Sequence, residues 1–198
     1  MRPSTVLGPS SSPLRAGNVE MVVDLTHVLR SGMPVYPGTI SPTFAPSNTI
    51  DQDGFAELAV TMCTHTGTHI DAPSHIIRGA KSLDEFPIDY FTGPAVLLDV
   101  SNESSISRET IQPFSSKIAQ SHFVVFRTGW EERWGTPAYF EGFPTLTNEA
   151  ARWLASFRLH AVGFDAISVD GVADSSLLNH HYLLQREVLI IENLANLD

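Results

Sequence analysis

The sequence is short of positive charge. Lysine and arginine number 12 against 22 acidic residues, a formal net charge of −10, and no basic run occurs in the 198 residues. Affinity for a phosphate backbone comes from Lys and Arg neutralising phosphates, so no nucleic-acid partner is expected. Cysteine occurs once, at Cys63, which excludes an internal disulfide and fits a reducing compartment. A thiolate ligand two residues before His65 is conceivable, but the expected role of Cys63 is that of a small buried hydrophobe. No run of 18 apolar residues exists, so no membrane span is expected, and the first 20 residues lack the apolar stretch of a secretory signal. Together these absences read as a soluble, cytoplasmic protein. There is no Gly-rich phosphate loop, no Gly-x-Ser-x-Gly nucleophile elbow and no internal repeat. Nucleotide chemistry and serine hydrolysis are therefore disfavoured.

What is present is the composition of an ordinary globular domain, 42% hydrophobic and 17% charged, with 13 Gly and 13 Pro that imply many turns. Residues 1–18 are rich in Ser and Pro, lack apolar periodicity and read as a flexible tail, leaving 19–198 as one domain. Strands are expected at Val19–Leu25, Phe55–Cys63, Ala95–Val100, Phe123–Arg127, Ala161–Phe164 and Val188–Ile191. The short continuous apolar runs among them suit strands covered on both faces. Ser107 and Thr147 are helix start signals. The first helix, Ser107–Ala119, is limited by Pro113, whereas Asn148–Phe157 places Ala151, Leu154, Ala155 and Phe157 near one face. Strands alternating with helices predict a single α/β domain with a mixed sheet.

The most informative stretch is His65-Thr-Gly-Thr-His-Ile-Asp-Ala-Pro-Ser-His75. Imidazoles and a carboxylate are the ligand set of a borderline divalent metal. A flat strand puts odd positions on one face but spreads four residues over roughly 13 Å, and ligands of one ion sit only about 2 Å from it. A regular helix would bring His65 and His69 together yet turn Asp71 away, and Pro73 resists it. A bent segment, sharpened at Gly67, is the shape that converges His65, His69 and Asp71. The competing reading is a polar loop whose histidines are satisfied by hydrogen bonds.

Further candidate donors lie near the ends of later strands. His180 and His181 are adjacent, and Glu192 closes the run Val-Leu-Ile-Ile-Glu. A carboxylate there is either an exposed strand end or a buried group that metal coordination compensates. Asp165 and Asp170 suit turn or cap roles, and His27, without a partner at ligand spacing, reads as structural. Tyr36, held between Pro34 and Pro37, exposes either a pocket ring or a turn aromatic packed on the core.

At this point the chain resembles the cyclase family of metal-dependent hydrolases, which includes bacterial kynurenine formamidase and isatin hydrolase. The resemblance rests on the histidine motif, on Pro34-Val-Tyr-Pro-Gly38, on Gly93-Pro-Ala-Val-Leu-Leu-Asp-Val100, on Thr128-Gly129-Trp130 and on the interval from His180 to Glu192. It implies a swivelling β/β/α fold and one or two Zn2+ or Mn2+ ions per chain. His65, His69 and Asp71 would hold the first ion. Asp71 would bridge to a second on His180 and Glu192, with His180 selected over His181 by the spacing. His75 would transfer the proton, and Tyr36 stands where the formamidases carry a bulky ring, often Trp. The resemblance further implies a homodimer or homotetramer in which a neighbouring chain helps line the pocket. The activity implied is hydrolysis of a small amide, formamide or cyclic amide C–N bond by a metal-activated water. A lyase or cyclase acting at carbon, and a metal-binding protein without turnover, are the alternatives.

Overall fold

The computed structural model describes residues 22–198. The expected tail, and Val19–Met21 of the first expected strand, lie outside the described residues. In chain order the strands are β1 (Thr43–Asn48), β2 (Glu57–Thr61), β3 (His69–Asp71), β4 (Ala95–Asp99), β5 (Ser105–Ile106), β6 (Phe123–Arg127), β7 (Thr145–Leu146), β8 (Ala161–Phe164) and β9 (Leu189–Glu192). The α-helices are α1 (Ile50–Asp53), α2 (Arg108–Ile111), α3 (Ser115–Ala119), α4 (Asn148–Leu154) and α5 (Leu178–Leu184).

The main sheet has the order β3-β9-β8-β6-β4. Its last four strands run parallel, and β3 joins β9 antiparallel, so the sheet is mixed as expected. Alternation decides which side chains meet the helices. Val124, Phe126, Val162, Phe164 and Ile190 pack with Ile111, Ile118, Leu154 and Leu183 in the principal core. Phe123, Ala161, Leu189 and Ile191 face the other way, against Phe86, Tyr90 and Phe91. Gly163 sits in β8 because the chain passes so close that an added Cβ would lie 2.8 Å from Leu194 Cδ1.

Three expectations need correction. Val22–Leu25 forms no strand; it is pinned at single points by the Leu25 carbonyl, which accepts from Ala195 N–H, and by the Asp24 carbonyl, which accepts from Asn196 Nδ2. Isolated bonds to an irregular partner hold a segment without building a ladder. Secondly, β4 is not covered on both faces: it is the edge of the sheet, and Leu97 is half exposed. Thirdly, β1 was not anticipated. It carries Pro46 at the point where its register against β2 slips, and a proline that withholds an N–H masks the strand signal. The two helices begin where expected: the Ser107 hydroxyl accepts from Thr110 N–H and that of Thr147 from Ala150 N–H. The first is broken around Pro113 by a tight turn, Gln112–Phe114, and the second stops at Leu154 rather than Phe157.

Candidate metal centre

The histidine segment is bent where the spacing requires. Gly67 has φ +67°, a left-handed conformation that a side chain resists, and a Cβ there would lie 2.9 Å from Met33 Cε. His65 precedes the bend, while His69 and Asp71 follow it on β3 and share a face. On β9, Glu192 pairs directly with His69 and Ile190 with Asp71. Directly paired residues project to the same side, so Glu192 joins His69 and Asp71 on the helix-bearing face. α5 brings His180 over that face.

The donor atoms converge. Asp71 Oδ1 lies 2.8 Å from His65 Nδ1 and 3.2 Å from His69 Nε2. Asp71 Oδ2 turns the other way, 3.7 Å from His180 Nε2. Glu192 is 3.5 Å from His69 Nε2 through one oxygen and 3.6 Å from His180 Nε2 through the other. Ligands about 2.0–2.2 Å from a shared ion are separated by roughly 3.0–3.5 Å; the approaches of Asp71 and Glu192 to His69 fall in that range, and the other three lie just outside it. Both Asp71 oxygens and Glu192 Oε1 are buried without a hydrogen-bond partner. A carboxylate in that condition is costly unless a cation compensates it. The donor set therefore fits a divalent ion.

The field of the two carboxylates shows in the neighbouring groups. Burial pushes the Glu192 carboxyl up, and the Asp71 charge adds to it. Burial also works to raise Asp71, but the surrounding imidazoles of His180, His65 and His69 outweigh it and hold the group below the usual carboxylate range. For His180, burial opposes the charge, yet contacts with Asp170, Asp71 and Glu192 raise it to about 11. His69 is raised in the same way by Asp71 and Glu192 against the opposing effect of its burial. His75 moves down, because partial burial and the imidazoles of His65, His180 and His69 outweigh the pull of Asp71.

All seven residues picked out from the sequence, Tyr36, His65, His69, Asp71, His75, His180 and Glu192, line one pocket of about 360 Å³. His181 does not line it. His75 stands at the pocket's exposed side, its ring centroid 4.1 Å from that of His65, and it comes near enough to His65 and Asp71 to share an ion with them. The Tyr36 hydroxyl donates to Val172 O at 3.3 Å, and the residue both lines the pocket and packs against the buried cluster of Trp130, Tyr139, Phe143, Ala166 and Ile167. Cys63 is a partly exposed pocket residue rather than a buried hydrophobe, because the chain passes the pocket mouth there on its way from β2 to the bend. His27 is structural, stacked on Trp134 at 3.8 Å.

Sequence reasoning missed the residues that hold the ligands. Gly67 O accepts from His69 Nδ1 at 2.8 Å and from Asn193 Nδ2 at 2.9 Å, and Asn193 Oδ1 accepts the Tyr139 hydroxyl at 2.8 Å. A carbonyl can only accept, so His69 carries a proton on Nδ1 and presents Nε2 to the carboxylates. Asn193 adopts φ +56°, which asparagine tolerates better than most. The only sequence signal was an Asn directly after Glu192. Asp165 has the turn role foreseen for it, accepting backbone N–H bonds from Thr128, Gly129 and Trp130.

Fold and site together define a mixed α/β domain that carries an imidazole and carboxylate cluster suited to a divalent cation at one edge of its sheet. The chain belongs to the cyclase family: the family model described as "Putative cyclase" matches residues 23–171. It is similar to kynurenine formamidase of Bacillus cytotoxicus, 31% identical over 174 residues that cover 87% of this chain and 81% of the relative. Among solved structures it is similar to isatin hydrolase A from Labrenzia aggregata, with TM-score 0.76, 28% identity, and 89% of this chain and 81% of that one covered. A protein described as a "potential metal-dependent hydrolase with cyclase activity" aligns with TM-score 0.74 and 30% identity over 89% of this chain and 82% of its own.

Proposed function

We propose that the protein is a metal-dependent hydrolase of small amide, formamide or cyclic amide C–N bonds. One observation carries the reading: four donor side chains, His65 from the bend, His69 from β3, His180 from α5 and Glu192 from β9, gather around Asp71, whose two buried oxygens have no hydrogen-bond partner. His65, His69 and Asp71 would hold one Zn2+ or Mn2+ ion, and His180 and Glu192 a second, with Asp71 shared between them. Such an ion supplies a water of lowered pKa, near 7, and polarises a carbonyl.

The chain's own groups do the rest. His75, at the open side of the cluster, is neutral at pH 7 by the direction of its shift and can take up a proton and deliver it to the leaving nitrogen. Pro34, Val35, Tyr36, Ile167 and Leu177 give the pocket an apolar wall that orients a ring or acyl chain and excludes water from it. The likeness to kynurenine formamidase and isatin hydrolase supports an amide-type substrate. Among the described residues no helix is long and apolar enough to cross a membrane, and the cytoplasm is the compartment proposed. A homodimer or homotetramer is proposed as well, supported by the apolar side chains that β2 and its flanks leave exposed, Phe55, Leu58 and Val60.

The test is an assay of the Zn2+- and Mn2+-loaded protein on an aryl formamide and on isatin in water enriched in heavy oxygen, with metal content measured on the same sample. Hydrolysis places one solvent oxygen in the acid product. A product without it would mean a lyase or cyclase, and a loaded protein with no turnover would mean a binding role.

A further inference from the structure

α5 begins without a cap of its own. Leu177 occupies the N-cap position with φ +46°, and a leucine has no acceptor to offer the free N–H groups of the first turn. Asp170 supplies it from across the intervening loop. Its Oδ1 accepts Asn179 N–H at 3.1 Å, and its Oδ2 accepts His180 N–H at 3.1 Å and His180 Nδ1 at 2.7 Å. The buried Asn179 side chain closes the same base from the other side, donating to Val169 O at 3.0 Å and to Leu146 O at 2.8 Å. The loop shut in this way carries Leu177, which lines the pocket, and Val172, whose carbonyl receives the Tyr36 hydroxyl.

We infer that Asp170 is a positioning residue that sets His180 for metal and, through the same three bonds, fixes the pocket wall formed by the loop. The inference rests on the metal reading given above. A carboxylate accepts only, so it holds the proton of His180 on Nδ1 and leaves Nε2 facing Asp71 and Glu192. The backbone bonds to Asn179 and His180 fix the helix start at the same time, so the ring cannot rotate without losing its cap. Asp170 touches neither Asp71 nor Glu192 in any bond of the structure, which separates this role from that of a ligand.

The test compares wild type, Asp170→Asn and Asp170→Ala with His180→Ala as reference. Zn2+ and Mn2+ affinity is measured by competition with a chromogenic chelator, and thermal midpoints are taken with chelator and with metal. Loss of an orienting partner typically costs 10–100-fold in metal affinity. Asp170→Ala is expected to fall in that range, and Asp170→Asn, which keeps one acceptor oxygen, to lose severalfold, up to about tenfold. The rise in midpoint on adding metal should shrink in step. Were both variants to lower the chelated midpoint while binding metal as tightly as wild type, Asp170 would be a helix cap and nothing more. Should Asp170→Ala fail to fold, Asp170→Asn, which keeps the size of the side chain, decides the matter alone. A wild-type protein that takes up no divalent ion would instead overturn the metal reading itself, and this inference with it.

Discussion

His75 and His69 are both imidazoles of one short segment, yet their surroundings assign them opposite fates on substitution. His69 is tied by Nδ1 to Gly67 O and turned by Nε2 onto two buried carboxylates. Only the backbone N–H of His75 is bonded, to Ala72 O; among the described residues its ring makes no hydrogen bond, and it reaches the solvent side. His75→Ala is therefore expected to keep its metal content and lose about 10²–10⁴ in kcat, the usual value of general acid–base help, while His69→Ala loses metal and turnover together. Metal analysis and an amidase assay on both variants check this, and an active His75→Ala protein would remove the residue from the mechanism. Gly67 gives a second test at this scale. Alanine there must adopt φ +67° and push on Met33 and Leu29, a cost of about 1 kcal/mol or more before any contact is counted. Gly67→Ala should lower the unfolding free energy from urea titration by at least that much and weaken metal binding as well, since the bend sets the His65 to Asp71 approach. Unchanged affinity would show that the neighbouring turns, not Gly67, set the convergence.

Among the elements, what was legible in the sequence followed local chemistry. The capping hydroxyls of Ser107 and Thr147, the proline that breaks the first helix and the buried run Ala161–Phe164 were all visible because each depends on residues close in the chain. The bend at Gly67 and the convergence of its three donors were legible for the same reason. What was hidden depends on partners far away. No spacing reveals that β3 pairs with β9 so as to set Glu192 against His69, or that Asn193 reaches back to Gly67; the join of His180 and Glu192 to the cluster came from the family resemblance. The strand at Phe55–Cys63 was foreseen and contains β2, but its partner β1, and with it the hairpin, was the largest omission. It stands with Leu58 and Val60 half exposed and with no strand of the main sheet beside it. Charges placed there should leave the fold alone and break association: Leu58→Lys with Val60→Lys is expected to shift the molar mass by light scattering from that of an oligomer to that of one chain. A double variant that stays assembled would place the contact elsewhere, and a wild type that is already monomeric would overturn the proposed oligomer.

For the molecule as a whole, the site couples metal to stability, and the sign of that coupling with pH can be worked out. In chelator-treated protein His180 is raised from 6.5 to about 11, and His69 is also raised. A group raised in the folded state contributes stability that is complete below its unfolded pKa, near 6.5, and is lost as pH rises through the folded value. Glu192, also raised, acts in the same direction from a lower starting point, while the lowered Asp71 gives up its contribution only in strong acid. Chelated protein should thus lose stability steadily from pH 6.5 to pH 9. Metal takes the imidazole nitrogens without their protons, so its apparent affinity rises over the same interval. At a hundredfold excess over Kd, bound ion contributes about 2.7 kcal/mol, which for a chain of this size is roughly 5–11 °C in Tm. The gap between metal-loaded and chelated midpoints is therefore expected to widen from pH 6.5 to pH 9, and to widen less in His180→Ala, which lacks the most strongly raised group. Paired thermal scans across that range measure it. A gap that stayed constant, or closed with rising pH, would mean that these imidazoles do not give up protons to the ion, and the proposed ligand set would have to be redrawn around other donors.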